Sequence, residues 1–175
     1  ARAKKLGIVF GANPLLAWYA SARSLRMNEI VEHVRIAKLS ESDPWTRTVR
    51  DRGMPLRERI EAAVTVTGGT DNPAVVHDLE PPFLCQYSAV TGQTLAGVLL
   101  PGQPATREEL LRMFTITNAC SRFQKDCLGS IEPGKHADLV MLDRGLLTCT
   151  DDDLRETQVL RTYVGGEVVH DGLTG

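Results

Sequence analysis

Short apolar runs alternate with longer stretches of helical spacing through the first 127 residues. The runs at 6–12 and 63–67 are apolar or β-branched and are bounded by glycines, which predicts two buried strands. Helices are predicted at 15–27, 29–38, 45–52, 56–63, 85–91 and 117–123. Because strands that alternate with helices form parallel sheets, this part of the chain is predicted to have an α/β fold.

A capping box marks the start of a further helix. Thr106 is followed three residues later by Glu109, so the Thr106 hydroxyl can accept a hydrogen bond from the Glu109 amide while the carboxylate accepts one from the Thr106 amide. The helix that follows is predicted to direct Leu110, Leu111 and Phe114 towards the core. Glu109 is therefore predicted to be a helix cap and not a catalytic acid.

Strands prevail after residue 127. A strand is predicted at 137–142 and a hairpin at 159–170, where two adjacent glycines supply the positive φ of a tight turn. Between them, three consecutive aspartates after Thr150 predict the N-terminus of a short helix, although such a run could also bind a hard cation. The chain is therefore divided into two parts, residues 1–127 and residues 128–175.

Two parallel strands are too few to close a barrel or to cover both faces of a sheet. The first part is therefore expected to be a piece of a larger α/β domain, an expectation that the abrupt start without Met also favours. If the chain stands alone, its strands would expose unpaired edges and an apolar face. Formation of homo-oligomers, domain swapping or marginal stability is then expected.

Composition narrows the class of protein and of partner. The 175 residues carry a net charge of −2 without clustered basic residues, which indicates no nucleic-acid partner. Every apolar stretch is too short to span a bilayer, and the N-terminus has no signal-peptide pattern, so a cytoplasmic location is expected. The four widely spaced cysteines, at 85, 120, 127 and 149, are predicted to be reduced and mostly buried.

Four motifs occur in an order that resembles one superfamily of enzymes. Residues 129–143 resemble the G-S-I-x-x-G-K-x-A-D-L-V-x-L-D signature of the amidohydrolase superfamily, and 164–169 resemble its V-G-G-x-V-V hairpin. Upstream, 113–120 resemble the T-x-N-A-A helix that precedes the signature, and 69–73 resemble the G-[ST]-D-x-P that ends the eighth barrel strand. Within the superfamily, the pattern is most similar to amidohydrolase family 3.

The resemblance implies a fold. Residues 1–127 would form the last strands and helices of a TIM (β/α)8 barrel, and residues 128–175 the C-terminal part of a small β-sandwich domain. Residues 1–62 match less distinctively and are placed as the seventh strand and its helices by their order alone. Since a full barrel takes about 250 residues, the barrel in this chain is expected to be incomplete.

The resemblance also implies a chemistry for Asp71. In the family, the matching aspartate contacts a divalent metal, zinc in particular, or its bound water, and it shuttles a proton to the departing nitrogen during hydrolysis of non-peptide C–N bonds. Spacing alone would make Asp71 a turn residue, because Asp-Asn-Pro is a common turn sequence. His77, six residues later, is the candidate for lining the pocket of a small-molecule substrate; by default it is a solvated loop residue.

The metal site itself is missing from this sequence. The family's His-x-His motif does not occur, and the four histidines lie at positions 33, 77, 136 and 170. The chain is therefore expected to bind no metal alone and to be catalytically incomplete without the missing barrel half. Two alternatives remain: a non-catalytic structural or partner-binding module derived from this fold, and an unrelated α/β binding module, which would not pair residues 136–142 with 159–170.

Overall fold

The computed structural model describes residues 2–13, 56–70, 83–93 and 104–173. Asp71, His33 and His77 lie outside the described residues, as do the helices predicted at 15–27, 29–38 and 45–52. Within the described ranges, no helix is both long enough and apolar enough to cross a membrane.

Helices and strands alternate before residue 122, and strands prevail near the end of the chain, as predicted. In order, the elements are α1 (Arg2–Lys5), β1 (Val9–Ala12), α2 (Leu56–Glu61), β2 (Thr65–Gly68), α3 (Leu84–Thr91), α4 (Arg107–Phe114), α5 (Ile116–Ser121), β3 (Leu139–Leu142), α6 (Asp151–Arg155), β4 (Val159–Val164) and β5 (Glu167–Asp171).

Strands β1 and β2 form the predicted parallel pair, with Val9 opposite Thr65 and Ala12 opposite Gly68. Strand β1 begins three residues later than predicted, and only Ala12 in it is buried, so the prediction of a buried strand at 6–12 is wrong. Strand β2 begins two residues later than predicted because the chain first has to end helix α2. Ala63 adopts a left-handed φ of 52°, its amide donates to the Ile60 carbonyl, and the next amide donates to the Arg59 carbonyl. This is the hydrogen-bond pattern of a Schellman cap. The described residues contain no closed barrel.

The buried core lies between the parallel sheet and the helices that follow it. Leu110 and Met113 on α4 are almost fully buried, whereas Leu111 is exposed, so the prediction that Leu111 faces inward is wrong. Residues three apart share a helix face, which places Met113 beside Leu110 and turns Leu111 away. Among the described residues, the buried cluster comprises Ala12, Leu56, Val66, Cys85, Tyr87, Ala89, Ala105, Leu110, Met113 and Leu154.

The last part of the chain forms an antiparallel sheet in the order β3-β4-β5. The predicted pairing of 136–142 with 159–170 is thereby confirmed. Strand β3 starts at Leu139 rather than at residue 137, because the two preceding residues bind the hairpin bend instead. The Asp138 carboxylate accepts a hydrogen bond from the Gly165 amide at 2.8 Å, and the Ala137 carbonyl accepts one from the Gly166 amide at 3.0 Å.

Arg107, the first residue of α4, joins this helix to the segment before α6. Its guanidinium donates to the Leu146 carbonyl at 2.8 Å, to the Cys149 carbonyl at 3.3 Å and to the Asp151 carboxylate at 2.6 Å. Leu154 on α6 is fully buried in the common core. Residues on both sides of the predicted boundary at residue 127 therefore share one core.

The four cysteines, all within the described residues, form no disulfide, as predicted, but their burial differs. Cys85 is buried, Cys120 is exposed, and Cys127 and Cys149 are half-buried. On α5 the buried position belongs to Ala119, and the adjacent side chain points outward. The prediction that the cysteines are mostly buried is thus wrong, most clearly for Cys120.

Candidate functional site

The C-terminal ends of β1 and β2 form one edge of the parallel sheet. Asn13 follows β1, and Gly69 and Thr70 follow β2. Asp71 is the next residue in the sequence and lies outside the described residues. In α/β barrels the active site is built at this edge, where the strands end.

Backbone and side-chain hydrogen bonds tie the two strand ends together. The Gly69 amide donates to the Ala12 carbonyl at 2.9 Å, one residue beyond the last strand pair. In the orientation that satisfies both of its polar atoms, the Asn13 amide nitrogen donates to the Ala12 carbonyl at 3.2 Å and to the Gly69 carbonyl at 3.1 Å. The residue after β1 therefore braces the residue after β2.

Two helices hold the same segment from the other side. The Asn118 side-chain amide on α5 donates to the Gly68 carbonyl at 2.9 Å, and the Cys85 thiol on α3 donates to the Gly69 carbonyl at 3.4 Å. Both consecutive carbonyls at the end of β2 thus accept hydrogen bonds from distant parts of the chain. Asn118 lies in the T-x-N-A-A motif, which signalled the helix but not this contact.

The two glycines of this segment are needed for space. A Cβ atom at Gly68 would overlap the ring of Phe114 on α4, and a Cβ atom at Gly69 would lie 2.7 Å from the end of the Asn13 side-chain amide. Both contacts would be closer than those that real Cβ atoms show. The Gly68-Gly69 pair therefore lets α4 and Asn13 approach the strand end directly.

The described residues do not fit a metal ion. Within 2–13, 56–70, 83–93 and 104–173, no three His, Cys, Asp or Glu side chains come together as a metal site. His136 and His170 are exposed in the last third of the chain. Asp71 and His77, the remaining candidates, follow β2 in the sequence and lie outside the described residues.

The three consecutive aspartates form the N-terminus of α6, as predicted. Thr150 caps this helix by accepting a hydrogen bond from the Asp153 amide. Each carboxylate also contacts an arginine: Asp151 pairs with Arg107 at 2.6 Å, Asp152 with Arg155 at 3.5 Å, and Asp153 with Arg144 at 3.2 Å. These ion pairs account for the acidic run without a bound cation.

A groove of about 350 Å³ lies beside the first half of β2, away from the strand ends. Its walls include Val64 and Thr65, together with residues of α2, α4 and α5. Because it opens at the beginning of β2 and not at its end, this groove is separate from the edge that leads to Asp71.

Glu109 forms the predicted capping box and also an ion pair between α2 and α4. Its carboxylate accepts two hydrogen bonds from the Arg57 guanidinium, at 2.6 and 3.0 Å, and one from the Thr106 amide at 2.8 Å. The Arg57 hydrogen bonds, with a smaller contribution from Thr106, lower the pKa of Glu109 from 4.5 to about 2. Glu109 is thus ionised and fully engaged, which agrees with a structural role.

This lowered pKa predicts a pH-dependent contribution to stability. The ionised Glu109 stabilises the folded chain above pH 4.5, and the contribution is lost as pH falls towards the folded-state pKa of about 2. With 29% of the side chain exposed, solvent screening limits this contribution to about 1 kcal/mol. We therefore expect Glu109→Gln to lower the free energy of unfolding by that amount at pH 7.

Urea unfolding of the wild type and of Glu109→Gln between pH 2 and pH 7 measures this effect. Glu108→Gln is the matched control, because Glu108 is exposed on the same helix turn. The difference between wild type and Glu109→Gln should shrink below pH 4.5. A difference that stays constant over the whole range would contradict the assigned pKa.

The similarity to known proteins extends over nearly the whole chain. The model of the amidohydrolase family matches residues 2–170. The N-substituted formamide deformylase of Arthrobacter pascens is 35% identical over 167 residues, which are 94% of this chain and 27% of that protein. The chain therefore spans about a quarter of the length of this relative.

Solved structures show a similar fold at lower sequence identity. A crystal structure of an amidohydrolase is 19% identical with a TM-score of 0.52, over 98% of this chain and 37% of the other. A prolidase in complex with N-methylphosphonate-L-proline is 18% identical with a TM-score of 0.52, over 96% of this chain and 36% of the other. At these sequence identities, the comparison with solved structures shows only that the fold is similar.

Proposed function

Because the chain belongs to the amidohydrolase family, whose members have TIM-barrel-type folds, we propose that it supplies one end of such a barrel in a hydrolase of non-peptide C–N bonds. The complete protein here means this chain together with the further residues that its longer relatives contain. Residues 1–127 provide the last strands and helices of the barrel, and residues 128–175 a segment of the adjoining β-sandwich.

The observation that carries this proposal is the 35% identity to an N-substituted formamide deformylase over 94% of the chain. We propose the same substrate class for the complete protein. Water adds to the formyl carbon, the C–N bond breaks, and a proton passes to the departing nitrogen, so that R-NH-CHO and water give R-NH2 and formic acid.

Asp71 is the residue of this chain that we assign to the chemistry. In the sequence it comes three residues after the end of β2, which Asn118 holds by a hydrogen bond, and barrel active sites are built at the edge where such strands end. A carboxylate there can take a proton from the attacking water and return it to the leaving nitrogen, which makes the amine a better leaving group. His77, six residues further along, lines the substrate pocket in this proposal.

Members of the family generally use a divalent metal. Because the sequence lacks the family's His-x-His motif, we place most of the ligands in the part of the barrel that this chain does not supply, with Asp71 as this chain's contribution. The 175-residue chain alone is then catalytically incomplete and binds no metal. Exposed apolar side chains around β1, namely Leu6, Ile8 and Val9, support association of this sheet with the missing strands.

The test compares the complete protein with the 175-residue chain. We expect the complete protein to release formate from N-substituted formamides roughly 10–100-fold faster than it releases acetate from the matching acetamides, since one methyl group is discriminated to about that extent. The isolated chain should release neither product and hold no stoichiometric metal. Hydrolytic activity or bound metal in the isolated chain would contradict its incompleteness, and an inactive complete protein would instead favour a partner-binding module.

A further inference from the structure

We propose that Asn118 is a positioning residue for this reaction, acting through the Gly68 carbonyl on the end of β2. The inference rests on the proposed function, because the segment that Asn118 holds leads into Asp71. If Asn118 has this role, its replacement should lower kcat by more than any loss of folded protein explains.

The geometry of the contact favours a positioning role. The Asn118 side-chain nitrogen lies 2.9 Å from the Gly68 oxygen, and the two residues are 50 positions apart in the chain. This hydrogen bond links helix α5 to Gly68, the last residue of β2. It therefore restrains the strand end directly, without passing through a flexible surface loop.

Helix α5, which carries Asn118, is itself held in place. A Cβ atom at Gly129 would lie 2.7 Å from the Ile116 Cα and 2.8 Å from the Ala119 Cβ, so the chain after α5 packs tightly against the helix backbone. Ala119 is buried next to Asn118. The amide is thus presented by a rigid support, which is what precise placement of a neighbouring group requires.

Neighbouring contacts show that hydrogen bonds, and not packing alone, hold the strand end in position. The next carbonyl, that of Gly69, accepts from the Cys85 thiol and from the Asn13 amide. The thiol is a weak donor, whereas an amide is a full one. Asn118 is therefore the stronger of the two restraints that reach the strand end from the helices.

Loss of this hydrogen bond should shift the strand end rather than unfold it, because the Asn13 and Cys85 contacts remain. Misplacement of a reacting group by about 1 Å can lower a rate by roughly 10²-fold. We therefore expect Asn118→Ala in the complete protein to lower kcat for formamide hydrolysis by roughly 10–100-fold, with KM changed by less than about threefold.

The experiment measures kcat, KM and the thermal midpoint for Asn118→Ala, Asn118→Gln and the control Thr117→Ala. Thr117 lies on the same helix but lines the separate groove beside the start of β2. Asn118→Gln keeps an amide donor and should recover part of the lost kcat despite its greater bulk. Thr117→Ala should leave kcat near the wild-type value.

Several outcomes would overturn the positioning role. One is a kcat of Asn118→Ala, per folded molecule, no lower than that of Thr117→Ala; another is Asn118→Gln being as impaired as Asn118→Ala. A rise in KM with kcat unchanged would likewise assign Asn118 to binding. If the wild type hydrolyses no C–N bond, the proposed function itself fails. If Asp71→Asn keeps the wild-type kcat, the assignment of Asp71 fails, and with it the route by which Asn118 would act on the rate.

Discussion

Replacement of Asp71 by asparagine in the complete protein is expected to lower kcat for formamide hydrolysis by roughly 10²–10⁴-fold, the usual contribution of a positioned general acid or base. Asparagine has almost the same size and shape as aspartate, but its amide cannot take up the proton of water and return it to the leaving nitrogen. Steady-state release of formate by the purified variant measures the effect.

This substitution also separates the two interpretations of the Gly69-Thr70-Asp71-Asn72-Pro73 segment. Asparagine serves in turns as well as aspartate does, so a mere turn residue would tolerate the change. Unchanged kcat in Asp71→Asn would therefore reduce Asp71 to a turn former. Asp126→Asn is the matched control, because Asp126 is an exposed aspartate in the turn after α5, and both variants should keep the wild-type thermal midpoint.

Elements with strong local signals could be predicted from the sequence. The hairpin of β4 and β5 turns at Gly165-Gly166, where both glycines have positive φ, and the Thr106 capping box forms as its spacing predicts. In each case the residues that determine the structure lie within a few positions of one another. The parallel pairing of β1 with β2 followed from the alternation of strands and helices, a rule of topology that needs no contact information.

Features that depend on contacts between distant residues could not be predicted in the same way. Leu111 and Met113 are both apolar, so periodicity did not indicate which of them would face the core. The side of helix α4 on which the sheet lies determines that Met113 is buried. Nor does any local pattern pair Arg107 with residues some 40 positions later, or Asn118 with Gly68. The motif resemblance located Asp71 in the chain, yet the groups that hold its neighbourhood appear only in the folded structure.

Replacement of Gly129 by alanine is expected to produce the largest loss of stability of any substitution considered above, about 2–5 kcal/mol. Gly129 has a φ of 88°, where an L-residue is strained. An added Cβ would also lie 2.7 Å from the Ile116 Cα, and backbone at that position cannot move without displacing α5. Strain contributes about 1–2 kcal/mol of the expected loss and overpacking the remainder.

Gly134→Ala is the control that separates these two causes. Gly134 has nearly the same φ, 89°, but an added Cβ there would meet nothing within 4 Å. Guanidinium unfolding should therefore show a loss of about 1–2 kcal/mol for Gly134→Ala, with the excess for Gly129→Ala measuring the clash against α5. Equal losses would contradict the tight packing of Gly129 on this helix. Because α5 also carries Asn118, Gly129→Ala should lower kcat in the remaining folded enzyme, whereas Gly134→Ala should not.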